Sequence, residues 1–259
     1  MIYQRAFLGI SALLFAASAA VTIVWCGSMS AMGGMAMPGD WTMSMAWMRM
    51  PGQSWSSAAT TFLGMWVVMM VAMMLPSLVS MLWRYRRAVC CAGPAHLARL
   101  TAFVALGYFF VWAALGVVAF ALGVALATMT MELPALARAV PMATGAVVVI
   151  AGALQFSAWK ARHLACCREA AVEGAVLKSD SATAWRHGVR LGIHCTYCCA
   201  GLTAILLVMG VMELRAMALV AGAITLERLA PAGQRIARII GGIVVAAGLF
   251  LMARAGGMA

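Results

Sequence analysis

Apolar residues in this chain fall in long runs broken by short polar or basic stretches, not in the two-residue alternation of a half-buried strand. Seven runs stand out, at roughly residues 6 to 26, 57 to 83, 101 to 127, 139 to 159, 191 to 212, 214 to 230 and 236 to 253. A helix needs about 20 predominantly apolar residues to cross the hydrocarbon core of a bilayer. The pattern therefore predicts an all-α fold, a polytopic transmembrane helix bundle of about seven spans, with the sixth run short for a span. Residues 1–56 read as a first span and an extracytoplasmic loop, and residues 57–259 as a six-span membrane domain. Ala16-Ala17-Ser18-Ala19-Ala20 resembles the small-residue cleavage site of a secretory signal. The apolar stretch before it exceeds the 7 to 15 residues usual for such a signal, so an uncleaved span is expected.

Composition and charge sharpen this picture. Apolar residues make up 65% of the chain and charged residues 10%, with a mean hydropathy of +0.99. Soluble domains carry about 45–50% and about 25%, so an ordinary cytosolic enzyme is excluded. The 18 Lys and Arg outnumber 7 Asp and Glu. They lie between the runs rather than in one patch, which speaks for positive-inside sorting and against a nucleic-acid partner. With a cytoplasmic amino terminus, fourteen fall inside: Arg5, Arg84, Arg86, Arg87, Arg99, Lys160, Arg162, Arg168, Lys178, Arg186, Arg190, Arg228, Arg235 and Arg238. Only Arg49, Arg138, Arg215 and Arg254 fall outside. A multi-pass protein of a bacterial inner membrane is the expectation. No phosphate-binding loop, nucleophile elbow or dinucleotide fingerprint occurs in a plausible context.

The 23 methionines and eight cysteines carry the candidate chemistry. Met29, Met32, Met35, Met37, Met43, Met45, Met48 and Met50 crowd the outer connection together with Trp41, Trp47 and Trp55. No single helix or strand period fits them all. Thioether sulfur is a neutral soft ligand that selects Cu(I) and needs no deprotonation. The bland alternative is a flexible loop lying on the bilayer with Met and Trp in the interface. In the second run Met65, Met69 and Met73 recur every four residues, with Met70 and Met74 beside them, so they stack along a helix. At about 1.5 Å per residue these sulfurs would lie roughly 10 to 24 Å into the membrane, a ladder that Pro76 ends. Packing between helices is the competing explanation.

Cysteine occurs as three vicinal pairs, Cys90-Cys91, Cys166-Cys167 and Cys198-Cys199, all near the cytoplasmic side, where disulfides are disfavoured. Random placement would give about 0.2 such pairs. In two of them a soft ligand stands three residues ahead, giving His163, Cys166 and Cys167 and, again, Cys195, Cys198 and Cys199. Positions i, i+3 and i+4 share a helix face, so each triplet is expected to present its ligands together and the two to meet across an antiparallel helix pair. His194 is adjacent, and Arg162, Arg168 and Arg190 are near enough to favour thiolate. Cys195 to Cys199 would lie roughly 7 to 14 Å inside the inner leaflet, near the depth of Met73 and Met74. A single buried cysteine is more often an inert small hydrophobe. His96 and His187 read as isolated loop residues without a role. Glu227 beside Arg228 is the only acid close to the cysteines and reads equally as a boundary ion pair.

Three segments carry a family resemblance: Met65 through Pro76, Gln155 through Arg168 with Lys160, and Gly192 through Cys199 followed by Glu227-Arg228. Together they resemble a bacterial family described as predicted metal-binding integral membrane proteins. The resemblance covers roughly residues 60 to 231. It implies a metal site using the second, fourth and fifth spans with Cys195, Cys198 and Cys199 at its core. This chain departs by placing His, Cys and Cys at positions 163, 166 and 167, where the family has Cys, His and Cys, and Ala200 where a bulky aromatic is usual.

The functional expectation is a soft-metal protein of copper uptake, delivery or homeostasis, a carrier rather than an enzyme. Cu(I) would pass from outer methionines through Met69, Met70, Met73 and Met74 to Cys195, Cys198, Cys199, His163, Cys166, Cys167 and His194. Zinc and mercuric ion are alternative metals. The expected partners are the lipid bilayer, the ion itself, and a metallochaperone or membrane complex. Two other classes compete: a thiol redox relay, and an assembly subunit packed through Gly116 and Gly123 or Gly241 and Gly242.

Overall fold

A computed structural model describes residues 2–31, 33–49, 52–89, 93–169 and 180–257. Met32, Met50, Cys90, Cys91 and Lys178 lie outside the described residues. The described chain forms eight α-helices and one small hairpin: α1 (Ile2–Ala31), β1 (Met35–Met37), β2 (Trp41–Met43), α2 (Trp55–Ala88), α3 (Pro94–Glu132), α4 (Pro134–Leu154), α5 (Ala158–Glu169), α6 (Ser181–Met209), α7 (Leu214–Leu229) and α8 (Gly233–Gly257). The all-α expectation agrees with this.

Local signals explain most boundaries. Ser54 and Asp180 accept amide hydrogen bonds from Ser57 and Thr183 and so cap α2 and α6. Pro94 and Pro134 stand at the first positions of α3 and α4, where a missing amide costs nothing. Gly210, at φ +118°, ends α6 in a backbone region that L side chains rarely adopt. Glu213 then accepts from the amide of Ala216 and starts α7.

Six helices, α1, α2, α3, α4, α6 and α8, are long and apolar enough to cross a membrane. The sixth apolar run becomes α7, whose 16 residues extend only about 24 Å, short of a hydrocarbon core of about 30 Å. The fourth run is not one helix. It breaks at Gln155–Ser157, and α5 continues separately. Lys160 and Arg228, counted above among inside loop charges, are instead buried side chains. His96 and His187 are helical rather than in loops, the latter stacked on Tyr85 with ring centroids 5.4 Å apart.

Helices α2 and α6 form the centre: 56% and 44% of their most apolar windows are buried, against 6% for α1, which packs mainly on α2. The remaining helices present Leu106, Phe110, Val117, Leu122, Leu126, Ile243 and Phe250 outward. Close approach rests on glycine. A Cβ on Gly188 would collide with the Val104 carbonyl of α3, and one on Gly107 would meet the Trp185 carbonyl of α6 at 2.6 Å. Gly145 and Gly152 face Gly248 and Gly241 in the same manner between α4 and α8. Gly116 and Gly123 receive the indole rings of Trp66 and Trp47, and Gly241 meets Gln155. Three of the four glycines offered above as an assembly surface are therefore spent inside the chain.

The connection between α1 and α2 folds into a hairpin and a short turn. The hairpin pairs Met35 with Met43 and Met37 with Trp41, and Trp41 Nε1 donates to the Ala137 carbonyl of α4 at 2.9 Å. A short 3-10 turn, Met45–Trp47, then sets Trp47 against Phe62 of α2.

Gly188→Leu should force α3 and α6 apart. Overpacking of this kind costs about 1–3 kcal/mol or more, so the thermal midpoint in detergent should fall, whereas Gly222→Ala, with open space around it, should leave it within error.

Candidate metal centre

The inward face of α5 is Lys160, Leu164 and Cys167, a spacing of four and three that puts all three on one side of a helix. That face lies on α6 where Cys195, Cys198 and Cys199 point inward, each no more than 2% exposed. The result is a row of four buried thiols. Cys198 is within hydrogen-bond reach of both Cys167 and Cys199, Cys195 Sγ and Cys199 Sγ are 3.9 Å apart, and the Tyr108 hydroxyl of α3 stands 2.9 Å from Cys195 Sγ.

The expected triplet on the fourth span is divided. Cys167 joins the row, but Cys166, one position back on the helix, is rotated away and exposed. His163 turns to the rim, its Nδ1 3.5 Å from His194 Nδ1, among Tyr197 and Trp159. The two histidines thus pair with each other beside the thiols. Among the described residues no three His, Cys, Asp or Glu donors close into a ready-made cage. The row instead offers neighbouring sulfurs in pairs, which suits an ion content with two soft ligands.

Charge is supplied from residues that were not singled out for it. Arg162 and Arg190 are exposed. The cations facing the thiols are Lys160 and Arg228. Lys160 Nζ donates to Glu227 Oε2 at 2.7 Å and to the Cys198 carbonyl at 2.6 Å, and Gln155 Nε2 donates to Glu227 Oε1 at 3.1 Å. Glu227 therefore pairs with lysine rather than with its neighbour Arg228. Arg228 is buried at the end of α7, where Nη1 donates to Ser77 Oγ of α2 at 2.8 Å, while Nε and Nη2 find no partner among the described residues. Its charge lies close to Cys195, Cys167 and Cys199. The i, i+4, i+7 spacing of Lys160, Leu164 and Cys167 was the sequence signal for the lysine. Tyr108 and Ser77 left none.

Met65, Met69, Met70, Met73 and Met74 are all buried in α2, none more than 4% exposed. Ser77, whose hydroxyl also donates to the Met74 carbonyl, links the end of this row to Arg228. One turn separates Met73 from Ser77, so the end of the thioether row stands one turn from the side chain that bonds Arg228.

Residues 63–251 match the family model PpoB2, described as a copper chaperone. The chain belongs to this family. Comparison with curated proteins and with solved structures returns no match. All four thiols, Lys160, Glu227 and Arg228 fall within the matched residues, whereas the hairpin lies before them. Membership in a copper chaperone family is consistent with copper binding, and thiolate and thioether sulfurs are soft ligands of the kind that select Cu(I).

Removing one member of a buried ion pair strands the other, at a cost of about 3–5 kcal/mol, while replacing both by apolar residues is often neutral. Glu227→Gln should therefore lower stability by that order, and Lys160→Met with Glu227→Leu should recover most of it, measured as thermal midpoints of the purified protein.

Proposed function

We propose that this copper chaperone family member is a multi-pass membrane protein that receives Cu(I) through the methionines of α2. It holds the ion at the thiol row formed by Cys195, Cys198, Cys199 and Cys167, for delivery on the cytoplasmic side. The observation that carries the reading is the pairing of that row with the orphaned donors of Arg228. Two thiolates and one Cu(I) form a complex of net charge −1. Lys160 and Glu227 cancel, so the complex would leave Arg228 balanced in a site from which water is excluded. Ligation requires the thiols to be deprotonated, and a buried cation beside them favours that form.

Membrane integration is supported by the six long helices and the apolar side chains on their outer faces. The amino-terminus-inside orientation continues to rest on the basic residues, which remain strongly biased to one side after Lys160 and Arg228 are set aside. His163 and His194 sit at the rim, where a transferable ion could meet a nitrogen ligand. A groove of about 250 Å³ opens behind the site, lined by Gln155, Ser157, Lys160, Leu164, Gln234 and Arg238, and gives an acceptor a place to approach. Thiol redox exchange with a partner fits less well, because Cys166, the one exposed cysteine among the described residues, stands outside the row.

Copper content of protein purified under reducing conditions tests this. The Cys195→Ser, Cys198→Ser, Cys199→Ser triple variant should hold about one copper ion per chain fewer than the wild type, and Cys166→Ser should hold as much as the wild type. Equal copper in wild type and triple variant refutes the assignment.

A further inference from the structure

The hairpin ahead of the family-matched region has two chemically distinct faces. Directly opposed residues of an antiparallel pair project to the same side, as do residues two apart on one strand. The pairings Met35 with Met43 and Met37 with Trp41 therefore put three thioethers and an indole on one face. Ala36 and Thr42, paired between them, occupy the other, and both are exposed.

The sulfur face is the one turned toward the bundle. Met43 is 3% exposed, Met37 and Trp41 are half-buried, and Met35 at 39% leaves the face open at one end. Trp41 is fixed there by the hydrogen bond from its Nε1 to the Ala137 carbonyl. The hairpin tip is seated as well, since Gly39 lies against the backbone of Arg138. Two anchors on α4 thus hold strands that would be marginal alone. Packing alone would call for compact aliphatic residues on such a face, whereas three of its four side chains are flexible thioethers and the fourth is the aromatic with the strongest attraction for cations.

The geometry points to a second Cu(I) site, on the hairpin, made by the sulfurs of Met35, Met37 and Met43 and walled by the Trp41 ring. Neutral thioethers leave the ion's positive charge intact, and the face of an indole offsets part of it without a carboxylate. The exposed Met35 is the entry and the buried Met43 the inner end. Trp47, four residues on, packs against Phe62, which precedes Met65 by three positions on α2, so the site stands at the head of the thioether row. This inference rests on copper being the cargo, and it assigns that cargo an extracytoplasmic first contact.

The test uses full-length protein in detergent carrying Cys195→Ser, Cys198→Ser and Cys199→Ser, titrated with Cu(I) under anaerobic reducing conditions against a chromogenic Cu(I) chelator. Adding Met35→Leu, Met37→Leu and Met43→Leu should remove about one bound ion per chain and reduce the sulfur scattering seen by copper X-ray absorption. Met45→Leu with Met48→Leu should remove none. Met35→Leu alone, at an exposed position that folding does not depend on, should weaken binding roughly tenfold. Unchanged stoichiometry and affinity in the hairpin variants overturns the site. The same hairpin substitutions placed in the chain with intact cysteines should leave the thiol-bound ion in place. Absence of bound copper there, with the hairpin ion still bound in the cysteine variant, would count against the inner reading alone.

Discussion

Burying Arg228 in an apolar bundle imposes a charge that the polypeptide does not itself cancel. Its one hydrogen bond to a side chain goes to the neutral hydroxyl of Ser77, and Glu227, next to it in sequence, is engaged by Lys160. A buried ion without a counter-charge is strongly disfavoured, so the arrangement favours negative charge close by, and among the described residues the groups placed nearest to provide it are the thiols, with the Tyr108 hydroxyl beside them. Each helix around the site contributes to this balance: Ser77 from α2, Tyr108 from α3, Lys160 and Cys167 from α5, three cysteines from α6, and Glu227 and Arg228 from α7. The break at Gln155–Ser157 has the same origin. It lets α5 leave the line of α4 so that Lys160 and Cys167 can face α6.

How much of this was legible in the sequence follows from length scale. Helices of more than 20 residues announced themselves by unbroken apolarity, and the vicinal cysteines of α6 behaved as helical spacing requires because they sit in the middle of a long regular helix. The His163 motif failed in detail for the opposite reason. Its three residues do lie along one edge of α5, but the direction in which a 12-residue helix docks is decided by Lys160, Leu164 and Cys167, and that choice leaves Cys166 outside. The hairpin strands are three residues each, below the length at which alternation becomes a signal, so the methionines of the outer connection looked aperiodic although Met35, Met37 and Met43 share a face. Nor could the sequence decide between two partners for Glu227, because the Arg228 alternative was adjacent and Lys160 was 67 residues away.

The chain also separates its two kinds of sulfur by position. The buried thioethers concentrate in α2, with Met43 in the hairpin and Met217 in α7, and the buried thiols gather at α5 and α6, apart from Cys26 in α1. A thioether binds Cu(I) without altering its charge, so an ion among Met65, Met69 and Met73 would be a net cation in a medium of low dielectric constant. Such positions favour passage over residence. The thiol row differs because, in the proposed role, it would convert the ion to an anionic complex that Arg228 balances.

Neutrality has a consequence for release. Once the ion, two thiolates and Arg228 balance, removing copper alone would leave two bare thiolates beside one guanidinium, a net negative charge in the same apolar surroundings. Departure therefore has to be coupled, either to protonation of the thiols or to an acceptor whose own sulfurs replace them one at a time. Stepwise exchange is the less costly route, since at no stage is the ion without soft ligands. The structure supplies what such a route requires: paired sulfurs in sequence rather than a closed cage, a histidine pair at the rim, and a groove bordered by Lys160 on the side away from the methionines. A cage of three or four thiolates would bind more tightly and would serve a resident metal better. A row serves an ion that is meant to leave.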